Sequence, residues 1–409
     1  MLNKSILPSG LVLLTDEMPY VKSVSLGIMI KTGSRHEKGP ERGLSHMLEH
    51  MLFKGTVRNS AFAIAEKFDL LGAYLDAFTS REHTCFMVKM TAEKIPQALE
   101  MLSDMLLNSV FSPEDIEKEN SVILEEIKMY MDQPDDVVLN MFMSGLFKGH
   151  ALGSPILGTL ESVSGFRREN VKKYWENNYS PGNTLISAAG NIKSGEVLRL
   201  VEKYFGGWMP GPATAKPSNP VCDYERAESF KTLEQSHLVL GTEGLSFSSS
   251  RIYTLALLND ILGGSVSSRL FQEVREKRGL AYAIHSFYES YAGTGIFAVY
   301  AATDPEKKDE LIEVVKLEME KIKNGIITDN ELIKAREQAK CGFILSMENT
   351  SNRMSKLLRQ ENYFGRFISE EETLAGIEAV SKSGITSLAK ELFSPDRLKV
   401  TGYGPKIPA

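Results

Sequence analysis

Apolar and polar positions along the chain fall into two halves that predict the same elements in the same order. In the first half the pattern predicts a strand at residues 23–31, a helix around His46, a second helix at 61–71, strands near 75–78 and 84–90, and a helix at 92–108. In the second half it predicts a strand at 237–241, helices at 251–262 and 268–278, strands near 282–288 and 295–301, and a helix at 305–324. Consecutive strands with no helix between them call for antiparallel pairing, because parallel neighbours need long crossovers. The expected fold class is therefore α+β: two homologous domains, each an antiparallel sheet with helices packed mainly on one face. Between the halves, Gly206-Gly207-Trp208-Met209-Pro210-Gly211-Pro212, continuing to Pro217 and Pro220, follows neither a 3.6 nor a 2.0 period. This stretch, rich in chain breakers, reads as a linker at 210–220 between domains at 1–209 and 221–409. Residues 1–14, with the turn Pro8-Ser9-Gly10, predict a strand and turn in place of a secretion signal.

Composition narrows the class. With 409 residues, the chain is long for one core, and 42% hydrophobic with 24% charged residues is ordinary for a globular protein. The net charge of −6 is mild and the basic residues are scattered, so no nucleic-acid surface is expected. Eighteen apolar residues never run together, so neither is a membrane span. Three widely spaced cysteines, Cys85, Cys222 and Cys341, read as reduced thiols of a cytoplasmic protein.

The chemistry is concentrated in two predicted helices. His46 and His50 stand four apart between Gly43 and Gly55, so on a helix they share one face and can grip one ion. Glu49 leans over that face and is placed to take a proton from water at the metal. The second helix starts at Ser112-Pro113-Glu114-Asp115, with an N-cap, a proline and two acids, and closes at Asp132-Gln133-Pro134. Projected at about 100° per residue, Ile116, Ile123, Ile127 and Tyr130 form its apolar stripe. Glu119 and Glu126 lie on one edge of the stripe, about 40° and 60° from its centre, and Glu125 points roughly 160° away. Glu126 can thus offer an oxygen to a buried ion, and Glu119 can steer a ligand histidine. His36, His83, His150, His237 and His285 lack a partner at helical spacing and read as structural or surface residues. Gly263-Gly264 lacks the spacing of a phosphate loop.

His46-Met47-Leu48-Glu49-His50, with Gly33-Ser34-Arg35-His36-Glu37 and Arg42-Gly43-Leu44-Ser45 before it and Phe53-Lys54-Gly55-Thr56 after it, resembles the inverted H-x-x-E-H motif of the pitrilysin/insulinase zinc metallopeptidases. The likeness is greatest to bacterial relatives of mitochondrial processing peptidase, and it runs over nearly the whole chain. In that family the third ligand lies some 75 residues beyond the second histidine; here 126 − 50 = 76, on Glu126. Its accessory glutamate matches Glu119. Leu75, Asp76, Ala77, Phe78 and Thr79 resemble the family's substrate-pairing edge strand, with Asp76 where Asn is usual. The segment from Ser268 to Lys277 with Gly279-Leu280-Ala281-Tyr282 resembles the family's arginine–tyrosine segment, matching Arg275 and Tyr282.

The resemblance implies a zinc endopeptidase with His46, His50 and Glu126 as ligands, Glu49 as base, and Arg275 and Tyr282 contacting substrate. It implies extended or unfolded peptides as substrates. It also implies a homodimer, or a heterodimer with a related chain, in which Arg275 and Tyr282 act in trans. Two other readings stand beside it: a non-catalytic assembly subunit of the same family, and a zinc hydrolase acting on something other than peptides.

Overall fold

The computed structural model describes residues 2–211, 217–222, 224 and 228–406. Residues 212–216 of the expected linker lie outside the described residues. The chain forms two compact units, Met1–Lys128 with Ser154–Ser218 and Leu345–Phe367, and Met129–Gly153 with Asn219–Ile344 and Ile368–Ala409. Each half of the sequence therefore supplies a segment to the unit built mainly from the other half.

The first unit holds six strands: β1 (Leu2–Ile6), β2 (Val12–Glu17), β3 (Ser23–Ile30), β4 (Tyr74–Thr79), β5 (Thr84–Thr91) and β6 (Thr184–Gly190), in the order β1-β2-β6-β3-β5-β4. β4 is thus an edge strand, paired with β5 in the register Leu75 to Val88 and Thr79 to Thr84. Alternation along β3 sends Val24, Leu26, Ile28 and Ile30 into a core shared with helices Leu44–Met51, Ile95–Asn108, Arg168–Asn178 and Ser194–Phe205. Gly27 and Met29 face the other way. There the helix Thr350–Phe364 buries Met354, Leu357 and Leu358 against Leu14, Met29, Leu185 and Ala189. Burying each of those three side chains contributes roughly 1.5–3 kcal/mol. A Cβ on Gly27 would lie 2.2 Å from Met354 Sδ, so a bare glycine lets this helix approach.

The second unit repeats the plan: β7 (Glu228–Phe230), β8 (Ser236–Glu243), β9 (Ala281–Ser290), β10 (Gly295–Thr303) and β11 (Lys399–Gly404) lie in the order β7-β11-β8-β10-β9. Helices Ile252–Leu262, Lys308–Lys323 and Lys382–Leu392 share one core with Leu238 and Leu240 of β8. On the opposite face the helix Pro134–Leu146 packs Val138, Phe142 and Leu146 against Val239, Ile296 and Ala298. Again a strand glycine makes room, since a Cβ on Gly241 would lie 2.6 Å from Phe142 Cζ.

The α+β class and its twofold repetition hold, with two differences of detail. Each sheet contains one parallel pair, β2 with β6 and β11 with β7. Each sheet is also covered on its second face by a helix from the opposite half of the sequence. An amphipathic helix records that it has an apolar face, not which sheet that face will meet. No helix among the described residues is long and apolar enough to cross a membrane.

Candidate metal centre

The helix Leu44–Met51 sinks Leu44, Met47, Leu48 and Met51 into the core, which turns His46, Glu49 and His50 toward one side. It begins at Gly43, whose φ of +95° suits glycine and whose added Cβ would lie 2.6 Å from Leu157 O. Gly43 has no side chain to cap the helix, and Glu37 does so from outside it: the amides of Gly43 and Ser45 each donate to its carboxylate at 2.7 Å. Burial pushes the Glu37 carboxyl up to about 8, against those hydrogen bonds. The two amide donors favour the ionised form and so oppose that rise.

The helix Pro113–Met131 opens as its sequence suggests, with Asp115 N donating to Ser112 Oγ at 3.1 Å. Ile116, Ile123 and Ile127 are buried, Glu119 is buried beside them, and Glu125 is exposed. Tyr130, expected in the same stripe, is instead 37% exposed. It lies past Lys128, where this helix leaves the first unit.

The two helices bring the predicted ligands together. Nε2 of His46 lies 3.8 Å, and Nε2 of His50 3.9 Å, from the same oxygen, Oε2 of Glu126. One ligand atom from each residue falls within a 4.8 Å group. The Nε2–Oε2 gaps are too long for hydrogen bonds. They exceed by a few tenths of an ångström the edge, roughly 3.4 Å, of a tetrahedron of ligands about 2.0–2.1 Å from zinc. Burial, with His50 adjacent, holds the His46 imidazole down at about 3, so it is neutral with its lone pair available to a cation. Two imidazoles and a carboxylate that face one point without bonding each other fit a zinc ion.

Around them sit groups that bond to these side chains from outside the cluster. Glu119 Oε2 lies 2.9 Å from His50 Nδ1, as its place on the helix edge predicts. Glu119 Oε1 pairs with Lys54 Nζ at 2.7 Å. Burial pushes the Glu119 carboxyl up, but hydrogen bonds from His50 and Lys54 outweigh it and leave it below its ordinary value. Lys54 was not singled out from the sequence. It stood only within the matched segment Phe53-Lys54-Gly55-Thr56, and its position four residues after His50 is ambiguous because the helix ends at Met51.

Glu49 is buried enough that its carboxyl is raised above the ordinary range, while Thr79 Oγ1, donating to its Oε2 at 2.5 Å, pulls the other way. Thr79, expected only as a substrate contact on the edge strand, thus also ties β4 to Glu49. Along β4, Asp76 and Phe78 are exposed while Leu75 and Ala77 pack on the core. Asp76 Oδ1 accepts from the amide of Ala77 at 2.9 Å.

Arg275 and Tyr282 lie in the second unit. Arg275 sits in a π-helical turn, Phe271–Lys277, where the sequence predicts an ordinary helix. Its guanidinium lies 4.2 Å from the Tyr282 ring and 4.7 Å from the Phe271 ring. Tyr282 begins β9 and is 77% exposed. Among the other histidines, His36 Nδ1 lies 3.2 Å from Gly33 N, His150 Nδ1 3.1 Å from Leu152 N, and His237 Nδ1 2.9 Å from the Tyr300 hydroxyl.

Residues 12–160 match the model of the insulinase family, peptidase family M16, and residues 165–339 match that of the peptidase M16 inactive domain. The chain is 39% identical over 388 residues to YmxG of Bacillus subtilis, described as an uncharacterized zinc protease, with 95% of each chain covered. A protein of Rickettsia felis described in the same words is 37% identical over 395 residues, covering 96% of this chain and 95% of that one. Among solved structures, a protease from Helicobacter pylori matches with a TM-score of 0.92 at 22% identity, covering 99% of both chains. A peptidase M16 inactive domain from Pseudomonas fluorescens matches with a TM-score of 0.92 at 20% identity, over 100% of this chain and 98% of that one. At such identities the two structures bear on the fold alone.

Proposed function

We propose that this chain, which belongs to the insulinase family of peptidases (family M16), is a zinc-dependent endopeptidase that hydrolyses extended or unfolded peptides. The observation that carries the reading is a division of roles: His46, His50 and Glu126 face one point, while Glu49 stands beside it, held by Thr79. Structural zinc sites close all four positions with protein groups, whereas three ligands and a neighbouring carboxylate leave room for water. When bound, zinc would polarise the scissile carbonyl and bring the pKa of water toward neutrality. Glu49 takes the proton of the attacking water and returns it to the leaving amine. The Thr79 hydroxyl occupies Glu49 Oε2, which leaves Oε1 to carry that proton.

A peptide adding a strand to the edge of β4 would be held through backbone bonds near Leu75, Asp76, Ala77, Phe78 and Thr79. Pairing at the Ala77 amide requires the Asp76 carboxylate to swing away. Arg275 and Tyr282 supply a cation and a hydroxyl for the oxyanion. One chain carries both the metal centre and the arginine–tyrosine pair, so a symmetric homodimer, or a pair with a related chain, would build complete sites in trans.

A non-catalytic assembly role is the second reading, favoured by the match of residues 165–339 to the inactive-domain model. Most of that match lies in the second half, whose equivalent helix, Ile252–Leu262, carries no histidine. The test is to incubate wild type and Glu49→Gln, both loaded with zinc, with a mixed peptide library and read the cut sites by mass spectrometry. Cutting by the wild type alone supports the proposal. Equal cutting by both removes Glu49 as base, and no cutting by either favours the assembly role.

A further inference from the structure

We propose that Lys54 is a positioning residue for the metal centre: by holding one oxygen of Glu119, it fixes the other oxygen against His50 and so sets the angle at which that imidazole meets the ion. The inference rests on reading His46, His50 and Glu126 as the ligands, and adds a residue outside that set.

The chain reverses directly after the helix, with the amide of Phe53 bonded to His50 O at 3.1 Å and that of Lys54 to Met51 O at 3.2 Å. This tight turn brings Lys54 Nζ to 2.7 Å from Glu119 Oε1, while Glu119 Oε2 lies 2.9 Å from His50 Nδ1. A carboxylate held at one oxygen swings about its terminal torsion, and one held at both is locked. The lock matters more for His50 than a general argument suggests, because the buried Nδ1 of His46 has no hydrogen-bond partner among the described residues. Of the two imidazoles, His50 alone is oriented by a carboxylate. Lys54 is therefore the far end of a chain of three groups that terminates at the ion.

Two effects of Lys54 on a bound dication oppose each other. Its charge repels the ion, and its hydrogen bond orders a ligand. The Lys54 side chain is 34% exposed, so solvent screens its charge, whereas the Glu119 side chain it holds is 6% exposed. Ordering is the larger effect.

The sign of the change in zinc affinity separates them. Full-length protein is stripped of metal, and zinc is titrated in competition with a chromophoric chelator for wild type, Lys54→Met and Lys54→Arg. Outer partners of metal-binding histidines change affinity by about 10- to 100-fold, so Lys54→Met should raise the zinc Kd by about 10-fold or more. Lys54→Arg, which keeps a donor for Glu119, should stay within about threefold of wild type. In a Glu119→Gln background Lys54→Met should add almost nothing, because the two act as one unit. The melting temperature of each metal-free protein is measured alongside. An unchanged or tighter zinc Kd for Lys54→Met overturns the proposal, as does an equal loss in the Glu119→Gln background. A fall in metal-free stability with no change in Kd also overturns it. Loss of zinc binding by His46→Ala with no effect of Lys54→Met would leave the metal centre standing and remove only Lys54.

Discussion

Replacing Thr79 with valine removes one hydroxyl, keeps the shape of the side chain, and exposes how Glu49 is tuned. Thr79 Oγ1 donates to Glu49 Oε2 at 2.5 Å, against a burial that pushes the carboxyl above its ordinary range. A hydrogen bond to a charged acceptor is worth about 1.5–3 kcal/mol. Its loss therefore leaves burial less opposed and raises the Glu49 carboxyl further. Glu49 must be ionised to accept a proton, so activity is lost as pH falls through its pKa. The acid limb of the kcat/KM profile should therefore move to higher pH in Thr79→Val. Below that limb the variant should be about 10- to 100-fold slower than wild type, and well above it the two should converge. Thr79→Ser keeps the donor and should keep the wild-type profile. The assay is a pH series of peptide hydrolysis under kcat/KM conditions, with zinc content checked at each pH. An acid limb in the same place for Thr79→Val and wild type would refute the argument that Thr79 sets the protonation of the base.

Three further outcomes are expected. Burial, with Arg359 and His36 nearby, holds His83 at about 4 in the folded chain, below its ordinary 6.5. The unfolded chain therefore takes up a proton first as pH falls, and stability should drop by roughly 3 kcal/mol between about pH 6.5 and 4. His83→Gln should flatten that part of the pH–stability curve in denaturant unfolding, and an unchanged slope would contradict the assignment. Gly241→Ala should cost about 1–3 kcal/mol and more than Gly27→Ala. Its Cβ would meet Phe142 Cζ at 2.6 Å and the Phe297 carbonyl oxygen at 2.9 Å, whereas that of Gly27 meets the flexible end of Met354. Equal or reversed costs in urea unfolding would count against the two helices that cover the second faces. Mixing His46→Ala with Arg275→Ala protein should restore part of the activity if complete sites form between chains, and no recovery despite proven subunit exchange would rule out the trans arrangement.

The His46, His50 and Glu126 cluster was legible in the sequence because helical geometry is periodic. Spacing alone put His46 and His50 on one face, and the phase of the second helix chose Glu126 over Glu125, which the structure leaves exposed. The order of strands and helices in both halves was legible for the same reason. What the pattern did not carry was contact between segments far apart in the chain. β2 pairs with β6 across about 170 residues, and the helices Pro134–Leu146 and Thr350–Phe364 pack on sheets of the opposite half. Gly27 and Gly241 were the local hint, since a glycine inside a strand marks a close approach without saying of what. Lys54 and Glu37 were hidden for a related reason: turns, unlike helices, give no phase from which to project a side chain, and the bond of Thr79 in β4 to Glu49 joins segments 30 residues apart. The π-helical turn at Arg275 has no distinguishing period in so short a segment.

The central claim is that two distant helices hold one ion through two imidazoles and a carboxylate. It is tested most directly by an anomalous difference map collected at the zinc absorption edge from crystals of the zinc-loaded protein. The account predicts one strong peak per chain, about 2.0–2.2 Å from His46 Nε2, His50 Nε2 and a Glu126 oxygen, with Glu49 outside the coordination sphere. A peak ligated by Glu49 in place of Glu126, or no peak at this site in protein that retains zinc, would contradict it.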